Sequence, residues 1–408
     1  MDAGVIAALL FAFTYVAFSV GRVPGLRSDR VAAAIVGAVL LVAFGVLSVP
    51  EAQASVDGST LALLFGMMVL SASLEISGSF AIVGFWVTRR ARSPFALLTA
   101  IAITSAVLSA FLINDVVCIA FTPLVLQIAA ALERDPRPYL LALATSSNIG
   151  SVATITGNPQ NILIGSLSQI SYGRFALFLA PVAALALAAN LAIIWLLYRR
   201  ALGPAFPVQT ASPKPHIYRR WVRKSGIVIL GVLVAFVVGV PPAIAALMGA
   251  SAMLLTRAVN PKRLYVRLDW TLLALFAGLF VVVAGVEKAG LAERLLAALG
   301  PLHPENVWGL TVVTAILSNV VSNVPAVMVL KSLVPHLPNP QSAWLTLAMA
   351  STLAGNLTLP GSLATIIVVE RAKGRAAISF VDFLKVGLPS GLISLALGAV
   401  WLAWVHPS

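Results

Sequence analysis

A segment of this chain recurs about 210 residues further on, and that constrains the fold more than any other feature. Asp57 to Gly78 (DGSTLALLFGMMVLSASLEISG) lies without gaps on Asp269 to Gly290 (DWTLLALFAGLFVVVAGVEKAG). Gly66 falls on Gly278, Glu75 on Glu287 and, upstream, Gly37 on Gly249. Downstream, LSAFLINDV (108–116) faces LSNVVSNVP (317–325), with Asn114 on Asn323. LALATSSNIGSVATITG (141–157) then faces LTLAMASTLAGNLTLPG (345–361), and Pro181 falls on Pro389. The correspondence keeps its order through nearly the whole chain. In an apolar protein, duplicated halves with Gly/Pro/Asn interruptions at equivalent places point to a secondary transporter.

Composition agrees. Of 408 residues, 60% are hydrophobic and 10% charged, against roughly 25% charged in soluble domains, so the chain reads as polytopic in a membrane. Gly4 to Val20 follows Asp2 rather than a basic segment and reads as a first span, not a signal peptide. One cysteine, Cys118, excludes an intramolecular disulfide or an iron–sulfur cluster, and four scattered His offer no metal spacing. No cofactor or metal is expected. The net charge of +13 reads as positive-inside sorting, not nucleic-acid binding.

Phe95 to Leu132 is too long for one span, at ~57 Å as a single helix against a core of roughly 30 Å. With Asn114-Asp115 at its centre, it is expected to form two half-length helices meeting at a polar tip. The matched segment around Ser322-Asn323-Val324-Pro325 should do the same. Five crossings and one hairpin per half make the second half inverted. The expected architecture is therefore an all-α polytopic membrane protein of two inverted repeats. It has about ten transmembrane helices, two re-entrant hairpins and two broken helices. Residues 1–199 form the first repeat, 200–224 a cytoplasmic linker and 225–408 the second repeat. With both termini outside, basic residues including Arg22, Arg27, Arg30, Arg134, Arg219, Lys262 and Arg371 all become cytoplasmic. The expected location is the cell inner membrane, multi-pass, with periplasmic termini and membrane lipid as the surroundings.

The chemistry gathers at the interruptions. Bare backbone at membrane depth is tolerated where it is buried in protein or lines a wet cavity. Candidate substrate contacts are Asn114, Asn148, Thr156, Gly157, Asn158 and Asn161 in the first half. In the second they are Asn323, Gly355, Asn356, Thr358, Gly361 and Ser362. Small polar residues also serve simply to pack helices closely; two matched clusters in a duplicated chain favour the site reading. Asp115 is the only carboxylate placed near mid-membrane, where an acid pairs, titrates or holds a cation. It is the candidate carrier of a coupling proton or cation; the alternative is a hydrogen-bonded acid pinning the tip. Its repeat partner is Val324, so any charge-coupled event is one-sided. Glu75 and Glu287 read as span ends. Cys118, one turn from Asn114, is at most accessory, since a single thiol is usually packing. There is no P-loop, no HExxH and no paired catalytic arrangement, so an enzyme is not expected.

The strings INDVVCIAFTPLVL, LALATSSNIGSVATITGNPQNILIG, LSNVVSNVPAVMVL and LAMASTLAGNLTLPGS resemble the ion transporter superfamily. That superfamily includes ArsB-type arsenite permeases, silicic-acid efflux carriers, NhaD sodium/proton antiporters and divalent-anion/sodium symporters. The resemblance is greatest to the arsenite and silicic-acid efflux branch, with an Asn-Asp pair in the first hairpin. The symporters' Ser-Asn-Thr signature is absent from both tips. Pro360 and Thr365 stand where the efflux branch usually has an apolar residue and an Asn. The resemblance implies export of arsenite or a related metalloid oxyacid by proton antiport and alternating access. Asn114, Asn158, Asn161, Asn323 and Ser362 would hold the substrate. A pocket of Asn, Ser, Thr and backbone groups, with no evident Arg, suits a neutral polyhydroxy acid. Alternatives are a sodium-coupled anion symporter and a sodium/proton antiporter. A homodimer or an ATPase partner is compatible with the sequence.

Overall fold

Helix starts fall where short acceptor side chains precede apolar runs, and the two repeats use the same one. Asp57 accepts from the Thr60 N–H and its counterpart Asp269 from that of Leu272, each capping the matched helix. The computed structural model describes residues 3–20, 29–91, 93–202, 217–255, 261–291 and 297–405. The helices of the first half are α1 (Ala3–Val20), α2 (Arg30–Ala43), α3 (Val49–Ser55), α4 (Gly58–Ser77) and α5 (Ser79–Arg90). There follow α6 (Pro94–Phe111), α7 (Asn114–Ala131), α8 (Arg137–Ser151), α9 (Pro159–Leu167) and α10 (Tyr172–Leu202). The second half holds α11 (Arg219–Val238), α12 (Pro242–Leu254), α13 (Pro261–Tyr265), α14 (Trp270–Lys288) and α15 (Val307–Val321). It closes with α16 (Asn323–Leu330), α17 (Pro340–Ala354), α18 (Leu363–Ala372) and α19 (Phe380–Val405). Among the described residues there is no strand, and seven helices are long and apolar enough to cross a membrane. Most of the linker, together with Arg22, Arg27 and Lys214, lies outside the described residues.

Side-chain ties sort the helix ends onto two faces. Glu75 at the end of α4 pairs with Arg267 just before α14, so the matched helices run in opposite directions, as inverted repeats must. Lys224 donates to the Leu255 carbonyl (2.9 Å) and Arg134 to that of Leu202 (3.4 Å) on this same face, which also carries Arg137, Arg263 and Arg371. We call it the basic face. On the opposite face Lys288 pairs with Glu51 (2.6 Å), Lys331 with Glu287 (3.3 Å) and Ser166 with Asp57 (3.2 Å). The Lys288 ammonium, helped by the Ser48 N–H and hydroxyl, holds the Glu51 carboxyl down to about 2. That tie therefore stays ionised until the pH falls that far.

The helices form two groups. In the first, α2 packs on α14 and α12 on α4, with α1 and α11 alongside. These crossings are close because glycine stands in each. A Cβ added at Gly66 would meet the Ala246 backbone at 2.7 Å, and one at the matched Gly278 would meet the equivalent Ala34 at 2.9 Å. Gly37 likewise faces Val282, and Gly249 faces the matched Leu70, both at 3.3 Å. Small residues let the backbones approach where no hydrophobic force drives helices together. Gly66→Val and Gly278→Val should each destabilise the protein by about 1–3 kcal/mol, by similar amounts. Paired thermal unfolding in detergent checks this; unequal losses would mean that the crossings are not equivalent.

The second group holds α6 to α10 and α15 to α19, with α10 on α19, α6 on α8 and α15 on α17. The first hairpin, α6 and α7, has arms of 18 residues each rather than half-length ones. The second, α15 and α16, is shorter, at 15 and 8 residues. Its turn is strained, with Ser322 at φ 79° and ψ 160°, a conformation that is essentially glycine's. The first tip turns instead through extended Leu112 and Ile113.

Candidate functional site

Two helices unwind in the middle of the second group, each next to a hairpin tip. Between α8 and α9 the freed carbonyls of Ser151 and Thr154 accept from Asn161 Nδ2 (3.0 and 3.1 Å). Asn158 caps α9 by accepting from the Asn161 N–H (2.8 Å), while its amide donates to Ser151 Oγ (2.9 Å) and Thr352 Oγ1 (3.0 Å). The tip closes on this break where the Asn114 N–H donates to the Gly157 carbonyl (3.0 Å). The second break repeats the scheme. With its amide oriented to suit its neighbours, Asn323 donates to the carbonyls of Ser351 (3.0 Å) and Gly361 (3.2 Å) and accepts from Gln160 Nε2 (3.2 Å). Thr365, in the place of Asn161, is too short for the brace, and its buried hydroxyl finds no partner.

Asn148 joins the two breaks. Its Oδ1 accepts from Asn114 Nδ2 (2.9 Å) and Ser362 Oγ (2.9 Å), and its Nδ2 donates to Asn356 Oδ1 (3.0 Å). Asn356 in turn donates to the Thr145 carbonyl (3.1 Å). Gly355 lies close by: a Cβ there would stand 3.0 Å from Asn148 Nδ2. Backbone groups that would be costly to bury bare are thus satisfied within the protein.

A cavity of about 200 Å³ opens beside this network. Asn114, Asp115, Asn323 and Ser362 of the expected residues line it, joined by Pro159, Gln160 and Ser322. The first helical group supplies the facing wall: Arg30 from the start of α2, and Asp269 and Thr271 from the start of α14. These ends belong to the basic face. Asn148, Asn158, Asn161 and Asn356 are buried behind the wall. Thr156 points away, toward the Tyr172 hydroxyl (3.1 Å), and Thr358 donates to Asn319 Oδ1 (2.8 Å). Cys118 is fully buried in an apolar cluster. The expectation of a pocket without Arg does not hold, because Arg30 sits in it. Its position near a loop made it look like one more topology-setting charge.

A second cavity, of about 470 Å³, lies toward the opposite face. Asp57, Ser59, Leu63, Pro242 and Ala243 line it, and they are the repeat counterparts of Asp269, Thr271, Leu275, Arg30 and Val31 in the first. From the second group it meets only Gly165 to Tyr172, beyond the end of the break, and not the hairpin tips. The polar centre therefore faces one of two pseudo-symmetric openings.

Three polar residues escaped sequence reading. Asn319 donates to the carbonyls of Ala315 and Ala354 (both 3.0 Å), tying α15 to the second break. Asn190 donates to Thr145 Oγ1 (2.9 Å) and Ser146 Oγ (3.1 Å) and accepts from Ser390 (2.8 Å), joining α8, α10 and α19. Single Asn residues in apolar helices carry no local signal. Gln160 did carry one, since it sits inside the Asn158-Pro159-Gln160-Asn161 string.

The model of a family described as citrate transporter matches residues 9–354. The chain belongs to this family. It is a multi-pass membrane transporter, not an enzyme. The silicon efflux transporter LSI3 of Oryza sativa subsp. japonica is 30% identical over 92% of this chain and 93% of that protein. A 46 kDa membrane protein of Mycobacterium leprae is 28% identical over 98% of each chain. The fold is that of the Alcanivorax borkumensis YdaH transporter, whose crystal structure was described as revealing an unusual topology. It aligns at TM-score 0.64 and 16% identity over 99% of this chain and 98% of that one.

Proposed function

We propose that this transporter exports a small neutral polyhydroxy acid, arsenous acid first and silicic acid next, across the inner membrane in exchange for protons carried by Asp115. One observation carries the reading. The hairpin-tip wall presents neutral amides and hydroxyls, Asn114, Gln160, Asn323 and Ser362, that pair with hydroxyl groups, and Asn114 Oδ1, buried behind it, has no donor. Arsenous and silicic acids offer only such groups; a carboxylate anion offers only acceptors. Volume agrees, since about 200 Å³ falls below the roughly 300–1,000 Å³ of sites for drug-sized ligands. Charge agrees as well: Arg30 is outnumbered by Asp115 and Asp269, so a dianion meets no net positive lining. The silicon efflux activity in the rice relative's name supports the substrate class. Positive-inside sorting makes the basic face cytoplasmic. The cavity then opens inward, and the hairpins and broken helices move as one body against α1, α2, α4, α11, α12 and α14.

Arg30 is also the observation that favours a second reading, sodium-coupled uptake of an anion. Arsenite accumulation in everted vesicles, with an imposed proton or sodium gradient, separates the two. Saturable accumulation that collapses with the proton gradient is expected. Anion movement that needs sodium and ignores protons would replace the antiport reading with the symport one.

A further inference from the structure

We propose that Arg30 is a one-sided counter-cation for Asp115, present only while the cavity opens to the basic face, so that the scaffold itself prompts release of the coupling proton there. The inference rests on Asp115 being the proton carrier, as proposed above.

The geometry has two parts. Arg30 and Asp115 stand on opposite walls of one small cavity, the first on α2 and the second on α7, which belong to different helical groups. Half-buried, Arg30 makes no ion pair among the described residues. Opposite charges that face one cavity attract, the more so where protein takes the place of water between them. The one other charge on the wall is Asp269. Elements packed against α7 bring no further charge to its first turn. α6 has none, and Glu75 of α4, Arg89 of α5, Arg137 of α8 and Glu370 and Arg371 of α18 stand toward the basic-face ends of their helices, away from the tip.

The second part is the broken symmetry. Inverted repeats reach the opposite-facing state by exchanging the conformations of their halves. The counterpart of Asp269 is Asp57, so Asp115 keeps an acidic neighbour on both sides. The counterpart of Arg30 is Pro242, so the cation is lost. Moving between the openings thus removes one positive charge from Asp115 and leaves the negative one. The carboxylate is favoured at the basic face and the protonated acid at the other. An exporter driven by inward proton movement needs that order of events.

The test is labelling of Asp115 by dicyclohexylcarbodiimide, which attacks protonated carboxyls, followed by mass spectrometry across a pH series in everted vesicles. No substrate is needed. Arg30→Gln should raise the pH midpoint of labelling by about 1 unit, Arg30→Lys should leave it near wild type, and Asp269→Asn should lower it. Asp269→Asn keeps a cap-competent side chain and provides the opposite sign if Arg30→Gln does not fold. A titration that a folded Arg30→Gln does not move, or, where that variant does not fold, one that Asp269→Asn does not move, would overturn the inference and leave Asp115 as carrier. Labelling of wild type that shows no midpoint at all would remove Asp115 as carrier, and the inference with it.

Discussion

Asp115→Asn is expected to abolish accumulation of arsenite driven by a proton gradient, with a loss of at least about tenfold in everted vesicles, while arsenite–arsenite exchange survives. The side chain stands in the first turn of α7, beside the cavity, where free helix N–H groups favour a negative charge. It accepts no hydrogen bond among the described residues, so the amide breaks none and keeps the volume. What the amide cannot do is gain and lose a proton between the two openings. Folding should survive, because neutralising an intramembrane carboxylate removes a desolvation cost rather than an ion pair. Accumulation that persists in Asp115→Asn would show that the proton travels elsewhere.

Asn148→Ala should cost both transport and stability. The alanine leaves Asn114 Nδ2, Ser362 Oγ and Asn356 Oδ1 without the partner they share. Each such group costs about 1–3 kcal/mol when buried in a soluble protein, and nearer ~0.6 kcal/mol in measured membrane cases. Three of them together amount to roughly 2–9 kcal/mol on those scales. Because Asn148 holds both breaks and a hairpin tip, the loss falls on the geometry of the cavity wall. Transport should drop at least about tenfold, with a lowered unfolding temperature in detergent. A coupling energy near zero in a double-mutant cycle with Asn356 would mean that the bridge between the breaks carries nothing.

Much of the architecture was legible because duplication is written along the chain. Asp57 and Asp269 begin matched helices, and Gly66 and Gly278 sit at equivalent crossings. Asn-Pro and Gly at the breaks, and Asn114 at the tip of the first hairpin, are local signals with local consequences. The division of labour among the polar residues was not legible. Asn158 and Asn161 look as ligand-like as Asn114, yet they brace the unwound backbone, and the difference is a matter of which carbonyl lies within reach. Asn190 and Asn319 are single amides in apolar helices, indistinguishable from packing until their partners on other helices are known.

The sequence by itself determined the membrane setting, the two halves, their opposed directions and the places where helices break, since each depends on hydropathy, length or residues close together in the chain. Only the tertiary structure decided which face the polar centre opens to, and that Arg30 stands opposite Asp115 rather than merely among the basic loop charges. Those facts depend on how two helical bodies sit against each other. Nothing near Arg30 in the chain fixes that position, because α2 is held by α14 and faces α7 across the cavity, both far away along the sequence.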